Sequence, residues 1–261
     1  MRPPQGYRAS ELDHWRAWTA LDEDPSRLVT ALVERHDQSL KRDSDRALWL
    51  SNNERWVIKM FLPGPRRCRG RRRRAAFRAL LNASRVTAAG FATPRALGAF
   101  SHKVLQDRSW LVLERSRADP LAASFAGRSA EGRARLARAL VDWLVTLHAE
   151  GLCHGDLKRA NLLVTKAEAE AEVRFELLDL DAMCSLGWLP TRRAGKDLGM
   201  LLSSAGGYLD DETLGALFAR YIDSRTLDAR TARALKRRAL QVAHRRWRRG
   251  STPASGGWPR D

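Results

Sequence analysis

The residues best suited to chemistry in this sequence lie in two short stretches of its second half. The first begins at His154 and reads His-Gly-Asp-Leu-Lys-Arg-Ala-Asn-Leu-Leu-Val, and the second begins at Leu177 and reads Leu-Leu-Asp-Leu-Asp-Ala-Met. Together they supply a carboxylate at Asp156, an amide five positions later at Asn161, and a second carboxylate after an apolar run at Asp179. This layout is typical of sites that hold metal-bound ATP, so it predicts phosphoryl transfer.

Phosphoryl transfer depends on positioned reactants and neutralised charge, and this requirement assigns a role to each residue. Asp156 is the expected base for the attacking hydroxyl, and Asn161 and Asp179 are the expected ligands of Mg²⁺. Lys158 can bring an ammonium group to the transferred phosphate, whereas His154 is expected to brace the loop. The alternative is that His-x-Asp arises by chance and that an Asp after a helix is a turn or cap residue.

The elements around the first stretch favour the chemical interpretation. Before it lies a segment whose apolar residues recur every three or four positions, which predicts a helix with one buried face that ends at Gly151. After it, residues 161–165 and 173–180 have the pattern of two short strands. A helix, a loop and a strand pair in this order would hold Asn161 and Asp179 in place.

These stretches resemble the protein-kinase-like superfamily and, within it, the lipopolysaccharide kinase family, the Kdo and heptose kinases of Gram-negative bacteria. The resemblance extends from about residue 28 to 221, and it includes Asp181, where protein kinases have glycine, and the later Arg-Arg-Ala-Gly-Lys-Asp-Leu around Asp197. It implies an α+β fold with two lobes around one active-site cleft, a small antiparallel-sheet lobe and a mainly helical lobe. It also implies ATP as phosphate donor, Mg²⁺ as cofactor and a lipopolysaccharide core precursor as acceptor.

The resemblance directs attention to two predicted strands upstream. The strand over 55–61 carries Lys59, which corresponds to the lysine that binds the α- and β-phosphates. A solvated strand lysine is the alternative. The strand over 109–114 ends where a kinase has its hinge, so the backbone near Glu114 is expected to bind adenine.

Two departures from the kinase pattern concern the phosphates. The turn at 41–46 lacks the glycines that let backbone N–H groups approach a phosphate, so side chains such as Lys41, Ser44 or Arg46 would have to replace them.

The second departure concerns the glutamate that normally pairs with the strand lysine from the next helix. The helix predicted over about 72–89 offers Ala75, Ala76 and Ala79 in the corresponding places, and no acidic residue occurs between Glu54 and Asp107. Either Lys59 has another partner, such as Asp179, or catalysis is weak.

The path after Asp181 discriminates between substrates. Only sixteen positions separate it from Asp197, which leaves no room for a long activation segment, and no Ala-Pro-Glu occurs. A small or lipid-linked hydroxyl is therefore favoured over a protein substrate. Asp197 is expected to begin a buried helix and to accept hydrogen bonds from the catalytic-loop backbone. The alternative is an ordinary helix-start acid, and the two roles are compatible.

Length and composition indicate one soluble two-lobed protein of 261 residues in a reducing, cytoplasmic compartment. No apolar run approaches the roughly 18 residues of a membrane span, no signal peptide is recognised, and the cysteines have no metal-ligand spacing. The expected organisation is an N-terminal extension with a short helix opened by Ser10 and Asp13 over 1–27, the small lobe over 28–114, the large lobe over 115–250 and a disordered tail over 251–261.

The charge balance is strongly basic, with 47 Lys and Arg against 30 Asp and Glu and a net charge of +17. Arginine runs at 66–74 and 245–249 can be solvated surface, or they can attract an anionic membrane leaflet, an acidic saccharide or nucleic acid. The segment 235–249 can be an amphipathic interfacial helix or can pack on the large lobe. Nucleic acid is disfavoured because few aromatic residues are interleaved with the arginines.

Three functions therefore compete. The first is a lipopolysaccharide core kinase at the cytoplasmic face of the inner membrane, with an atypical kinase for another small molecule or a protein as its variant. The second is a pseudokinase scaffold, which the missing helix glutamate favours. The third is a nucleic-acid-binding protein.

Overall fold

A computed structural model describes residues 1–33, 39–42, 46–62, 74–105, 108–166, 173–205 and 209–248 of the chain. The chain divides into two compact units. The first contains Met1–Ser116 together with Asp179–Asp181, and the second contains Arg117–Leu178 and the chain from Ala182 onward. The first is built on an antiparallel sheet and the second is mainly helical, so the expected α+β class is confirmed.

The first unit is organised around a seven-stranded sheet. Its strands are β1 (Tyr7–Leu12), β2 (Trp15–Ala20), β3 (Ser39–Arg42), β4 (Arg46–Leu50), β5 (Trp56–Phe61), β6 (Ala96–His102) and β7 (Ser109–Glu114). They lie in the order β1-β2-β6-β7-β5-β4-β3, and every neighbouring pair is antiparallel. In the described part of this unit two helices accompany the sheet, α1 (Pro25–Val33) and α2 (Ala75–Ala88).

Alternation along β5 explains how this sheet presents a charged residue. Ile58 belongs to the apolar cluster that also contains Leu28 of α1 and Trp110 of β7. Because successive strand residues point to opposite faces, Lys59 lies on the face away from that cluster. Arg46 of β4 shares this face, since it stands two positions before Leu48, the register partner of Lys59.

The N-terminal residues contradict the predicted extension with a helix at Ser10. They form the β1–β2 hairpin, and Asp13 at its tip has φ 41°, a left-handed conformation that Asp tolerates in tight turns. The two tryptophans explain the error: Trp15 packs edge-on to Trp110, whereas Trp18 packs edge-on to Phe77 of α2. Strand β2 is thus covered on both of its faces, whereas the predicted helix would have been buried on one face only.

The second unit contains five helices and five short strands among its described residues. The helices are α3 (Leu121–Ala126), α4 (Ala130–Ala149), α5 (Thr191–Ala205), α6 (Asp211–Ser224) and α7 (Ala229–Trp247). The strands are β8 (Asp119–Pro120), β9 (Leu152–Cys153), β10 (Leu162–Lys166), β11 (Val173–Leu177) and β12 (Cys184–Ser185). Strands β10 and β11 form the predicted antiparallel pair, with β8 on the other side of β10, and β9 pairs with β12.

Helix α4 follows the predicted periodicity. Ser129 caps it by accepting a hydrogen bond from the Gly132 N–H, and Leu136, Leu140 and Leu144 are buried along one face. The helix ends at Ala149, and Gly151 follows with φ 68°, the left-handed conformation that glycine adopts freely. This turn delivers the chain into β9 and then into the predicted catalytic loop.

Helices α5 and α7 are in close contact through two glycines one turn apart. A Cβ at Gly195 would lie 2.8 Å from Cβ of Arg238, and a Cβ at Gly199 would overlap the carbonyl oxygen of Ala239. Val242 of α7 is buried in the same contact. The apolar side of α7 is therefore occupied by packing within the second unit, which decides against an interfacial helix over 235–249.

The tail 251–261 and most of the arginine run 66–74 lie outside the described residues.

Replacing Gly199 with alanine is expected to destabilise the second unit by about 2–3 kcal/mol, because neither the Ala239 backbone nor buried Val242 can yield to the new methyl group. The matched control is Gly215→Ala in α6, where a new Cβ meets nothing within 4 Å. That change should be neutral or stabilise by up to about 1 kcal/mol. Denaturant unfolding of both variants checks the pair, and equal effects would contradict the close contact.

Candidate active site

The predicted catalytic loop runs from β9 through a single 3₁₀ turn, Arg159–Asn161, into β10. Gly155 within it has φ 78°, and a Cβ there would lie 2.8 Å from the Ala182 carbonyl oxygen. Glycine is thus required by both backbone conformation and space. The His-Gly-Asp order of the motif follows from this turn.

A single buried carboxylate holds the start of the loop. Asp197 of α5 is fully buried, and it accepts hydrogen bonds from the N–H groups of His154 and Gly155, each at 2.7 Å. Burial alone would raise the pKa of Asp197, but the hydrogen bond from His148, together with that from the Gly155 N–H, holds it below its ordinary value. The carboxylate therefore stays ionised.

His148 and Tyr221 close the far side of this carboxylate. His148 Nδ1 lies 2.6 Å from the Tyr221 hydroxyl, and its Nε2 lies 3.5 Å from Asp197 Oδ2. Burial lowers the pKa of His148, against the opposing influence of Asp197. A neutral imidazole can accept from the tyrosine hydroxyl and donate to the carboxylate.

His154 links the loop to the end of β11. The Asp156 N–H donates to its Nδ1 at 3.3 Å, so the ring proton resides on Nε2, which lies 2.7 Å from the Leu178 carbonyl oxygen. Asn161 O accepts from the Leu178 N–H at 2.9 Å. Leu178, the residue before Asp179, is therefore held through both of its backbone polar groups.

Asp156 receives two side-chain contacts on one oxygen. Lys158 Nζ lies 3.0 Å from its Oδ2, and Asn161 Nδ2 donates to the same oxygen at 3.3 Å and to the Asp156 carbonyl at 2.9 Å. Among the described residues no hydrogen bond engages Oδ1, which can accept a proton from an incoming hydroxyl. Within the same residues the amide oxygen of Asn161 also has no partner, so it can bind a cation.

Asp179, Asp181, Lys59 and Arg46 form a second group, in the first unit. Asp179 binds the ammonium of Lys59 through Oδ1 and the guanidinium of Arg46 through Oδ2, the latter at 2.5 Å. Lys59 Nζ also lies 3.3 Å from Oδ1 of Asp181. Two cations thus face two carboxylates, which neutralises the group.

The two carboxylates differ in acidity. Burial would raise the pKa of Asp179, but the hydrogen bond with Asp181 and the charges of Lys59 and Arg46 outweigh it and hold the pKa well below its ordinary value. Burial, followed by the hydrogen bond with Asp179, raises the pKa of Asp181 above its ordinary value. Asp179 has φ 63°, which ends the predicted strand 173–180 at Leu177 and turns the carboxylate out of the strand direction.

The sequence does not predict two of the contacts in and around this group, those of Asn82 and Arg46. Asn82 of α2 is buried, and its Nδ2 donates to the Leu180 carbonyl oxygen at 2.7 Å. Its signal is a polar residue within the buried face of a helix. The sequence predicts Arg46 as a phosphate ligand, and no local pattern indicates that it binds Asp179.

Glu114, the predicted adenine contact, is the last residue of β7. The Glu114 side chain is half exposed and pairs with Arg95 at 3.4 Å. The Glu114 N–H donates to Arg95 O and the Arg115 N–H donates to Arg55 O, so neither can donate to adenine while the sheet is intact. Ser44 and the side chain of Lys41 lie outside the described residues.

The donor set suits magnesium. Mg²⁺ is usually bound through one or two protein carboxylates while phosphates and waters complete its shell. The carboxylate of Asp179 in the first unit and the amide oxygen of Asn161 in the second are each groups of this kind. Among the described residues no group of three His, Cys, Asp or Glu could hold a metal by itself.

Within the described part of the chain, no helix is both long and apolar enough to cross a membrane.

A strand lysine paired with an Asp after a β-hairpin, and a His-Gly-Asp loop held by a buried helix Asp, define the protein-kinase-like fold. Residues 67–221, well over half of the chain, match the model of the lipopolysaccharide kinase (Kdo/WaaP) family. The chain belongs to this family. It is accordingly a phosphotransferase by class, and the resemblance noted in the sequence is confirmed.

Solved structures agree on the fold. WaaP in complex with acyl carrier protein shares 18% identity with this chain, with a TM-score of 0.61, over 85% of this chain and 94% of WaaP. WbdD shares 17% identity with a TM-score of 0.52, over 80% of this chain and 46% of WbdD. The aminoglycoside phosphotransferase APH(3'')-Id from Streptomyces rimosus shares 13% identity with a TM-score of 0.53, over 84% of this chain and 98% of that enzyme. No curated protein sequence matches the chain.

The lowered pKa of His148 makes stability depend on pH near neutrality. The unfolded state, with an ordinary pKa of 6.5, binds more protons than the folded state, so stability is complete above that pH and falls as the pH falls below it. We expect the free energy of unfolding to decrease between about pH 7.5 and pH 5.5, and His148→Gln to flatten this slope. The exposed control His14→Gln should keep it, and an unchanged slope in His148→Gln would contradict a neutral buried imidazole.

Proposed function

We propose that the protein transfers the γ-phosphate of ATP to a hydroxyl of a Kdo or heptose sugar in a lipopolysaccharide core precursor, at the cytoplasmic face of the inner membrane. The observation that carries this proposal is the loop held by Asp197, in which Lys158 and Asn161 both contact Oδ2 of Asp156 and no other described residue engages Oδ1. Family membership supports the acceptor class.

The roles follow from the chemistry of the groups. Asp156 Oδ1 accepts the proton of the attacking sugar hydroxyl, while Lys158, already 3.0 Å from Oδ2, offsets negative charge on the transferred phosphoryl group. Asn161 and Asp179 hold Mg²⁺, which when bound neutralises the phosphate oxygens of ATP. Lys59 binds the phosphates that precede the transferred one.

A small acceptor is favoured over a protein. Between Asp181 and Asp197 the described chain contains only the 3₁₀ turn Leu180–Ala182, the two-residue strand β12 and a short connection before α5 begins. No element of that stretch forms a platform on which an extended peptide could lie. An exposed sugar hydroxyl needs only access to Asp156.

The pseudokinase alternative relied on the missing helix glutamate. Since Lys59 contacts Asp179 and Asp181, its ammonium is held without that glutamate. An active enzyme is therefore the better-supported proposal.

Loss of the base is the direct test. Asp156→Asn should lower magnesium-dependent ATP turnover with a purified core acceptor by about 10²–10⁴-fold, because it removes proton acceptance while preserving shape. In cells that lack the gene, wild type should restore a phosphate on the core oligosaccharide, measured by mass spectrometry, and Asp156→Asn should not.

Asp142→Asn is the matched control. Asp142 lies on the exposed side of α4 and pairs with Arg220, so its variant should turn over ATP and restore the core phosphate like wild type. A core with unchanged phosphate in the absence of the gene would reject the lipopolysaccharide acceptor. Wild-type turnover by Asp156→Asn would reject the base.

We further propose that the outer side of α7 keeps the enzyme near an anionic leaflet. Most of its exposed side chains are basic, and residues 229–248 contain no acid. The exposed basic residues are Arg230, Arg233, Lys236, Arg237 and Arg245. Contact would be electrostatic, since the apolar side of the helix is packed against α5.

Vesicle sedimentation tests this contact. Changing Arg233, Lys236 and Arg237 together to glutamine should weaken binding to phosphatidylglycerol vesicles by about 10²-fold, at roughly 1 kcal/mol for each basic residue. Wild-type binding should also fall as salt is raised and be absent with neutral phosphatidylcholine vesicles. Equal binding to both vesicle types, or by both proteins, would contradict the proposal.

A further inference from the structure

The buried ammonium group of Lys59 requires a hydrogen-bonding partner of opposite charge. The residue is only 4% exposed, and its ammonium stands on the face of β5 opposite the apolar cluster of the first unit. A buried ammonium is costly unless it is paired and hydrogen-bonded. A partner must also hold it in one place, because a lysine stem has four rotatable bonds and binds phosphate as a point charge.

Helix α2 offers no carboxylate for that pairing among its described residues. Its residues from Ala75 to Ala88 include no acid, and Ala75, Ala76 and Ala79 are buried without any group that could bind an ammonium. The buried polar side chain of the helix, Asn82, donates its amide proton to the Leu180 carbonyl instead. The helix is thus connected to the segment that carries the acids and does not carry an acid itself.

The two acids near Lys59 have different commitments. Asp179 divides its carboxylate between Lys59 and Arg46, and it is also the proposed magnesium ligand. The side chain of Asp181 is 17% exposed, and its Oδ1 lies 3.3 Å from Lys59 Nζ. Asp181 makes no other ion pair among the described residues. Among the described ion pairs Asp181 therefore serves Lys59 alone, and it shares a hydrogen bond with Asp179.

We propose that Asp181 is the positioning residue for Lys59 and takes the part that a helix glutamate plays in other kinases. Asn82 supports it by fixing the Leu180 carbonyl, the peptide group that joins Leu180 to Asp181, at 2.7 Å. This inference rests on the proposed phosphoryl transfer, because it assigns Lys59 to the phosphates of the nucleotide. The other reading of Asp181 is a second magnesium ligand.

A double-mutant cycle separates these readings. Four full-length proteins are compared: wild type, Lys59→Met, Asp181→Asn and the double variant. Each is assayed for kcat and KM for ATP, for the magnesium concentration at half-maximal rate, and for its unfolding midpoint without nucleotide or metal. Asp22→Asn, an exposed acid of the same unit paired with Arg95, is the matched control.

If Asp181 positions Lys59, Asp181→Asn should lower kcat by about 10- to 100-fold, the range for a lost hydrogen bond to a charged group. KM for ATP and the magnesium midpoint should change much less. In the Lys59→Met background the same substitution should have almost no further effect on the rate. Asp181→Glu, which keeps the carboxylate, should recover part of the loss.

The contrary outcomes are distinct. A full 10- to 100-fold loss that persists in the Lys59→Met background, or a several-fold shift in the magnesium midpoint, would overturn the proposal in favour of a metal ligand. A wild-type protein without turnover would instead reject the proposed function. In that case the unfolding midpoints decide, since a coupled pair destabilises non-additively in the cycle and additive midpoints would overturn the pairing as well.

Discussion

The second unit depends on one buried carboxylate, that of Asp197. An ionised group without solvent is tolerated only where hydrogen bonds replace its hydration, and the N–H groups of His154 and Gly155 supply two of these at 2.7 Å. Backbone N–H groups can point to one acceptor only if the loop turns sharply, and the positive φ of Gly155 provides the turn. The arrangement of the catalytic loop is thus the condition under which Asp197 can be buried.

The loop and the helix that meet at Asp197 each hold a further element in place. The His154 ring reaches the Leu178 carbonyl, and the Asn161 carbonyl accepts from the Leu178 N–H, so the end of β11 is fixed by the same loop. On the other side, Asp197 lies between Gly195 and Gly199, two positions at which α7 leaves no room for a Cβ on α5. One helix therefore places the carboxylate on one face and receives a neighbouring helix on another, which explains glycine, acid and glycine at alternate positions.

Features formed by residues close together in the sequence could be predicted, whereas contacts between distant residues could not. The catalytic loop, helix α4, the β10–β11 hairpin and the lysine strand were predictable, because each is written in consecutive residues with a clear period or turn. The bond from Asn82 to Leu180 and the pair of Arg46 with Asp179 join residues about a hundred positions apart, and nothing local indicates them. At Ser10 the spacing of a capping box was present, but pairing with β6 through β2 outweighed that local preference.

The position of Asp179 and Asp181 on one short segment affects what a movement of α2 would do to the site. In a kinase whose lysine is paired from a helix, movement of that helix breaks the pair and can switch the enzyme. Here the proposed metal ligand Asp179 and the lysine partner Asp181 are on one three-residue segment, joined to α2 by the amide of Asn82. Moving α2 would shift the whole segment and so disturb lysine and metal ligand together. In this arrangement the helix therefore cannot move the lysine partner without also moving the proposed metal ligand.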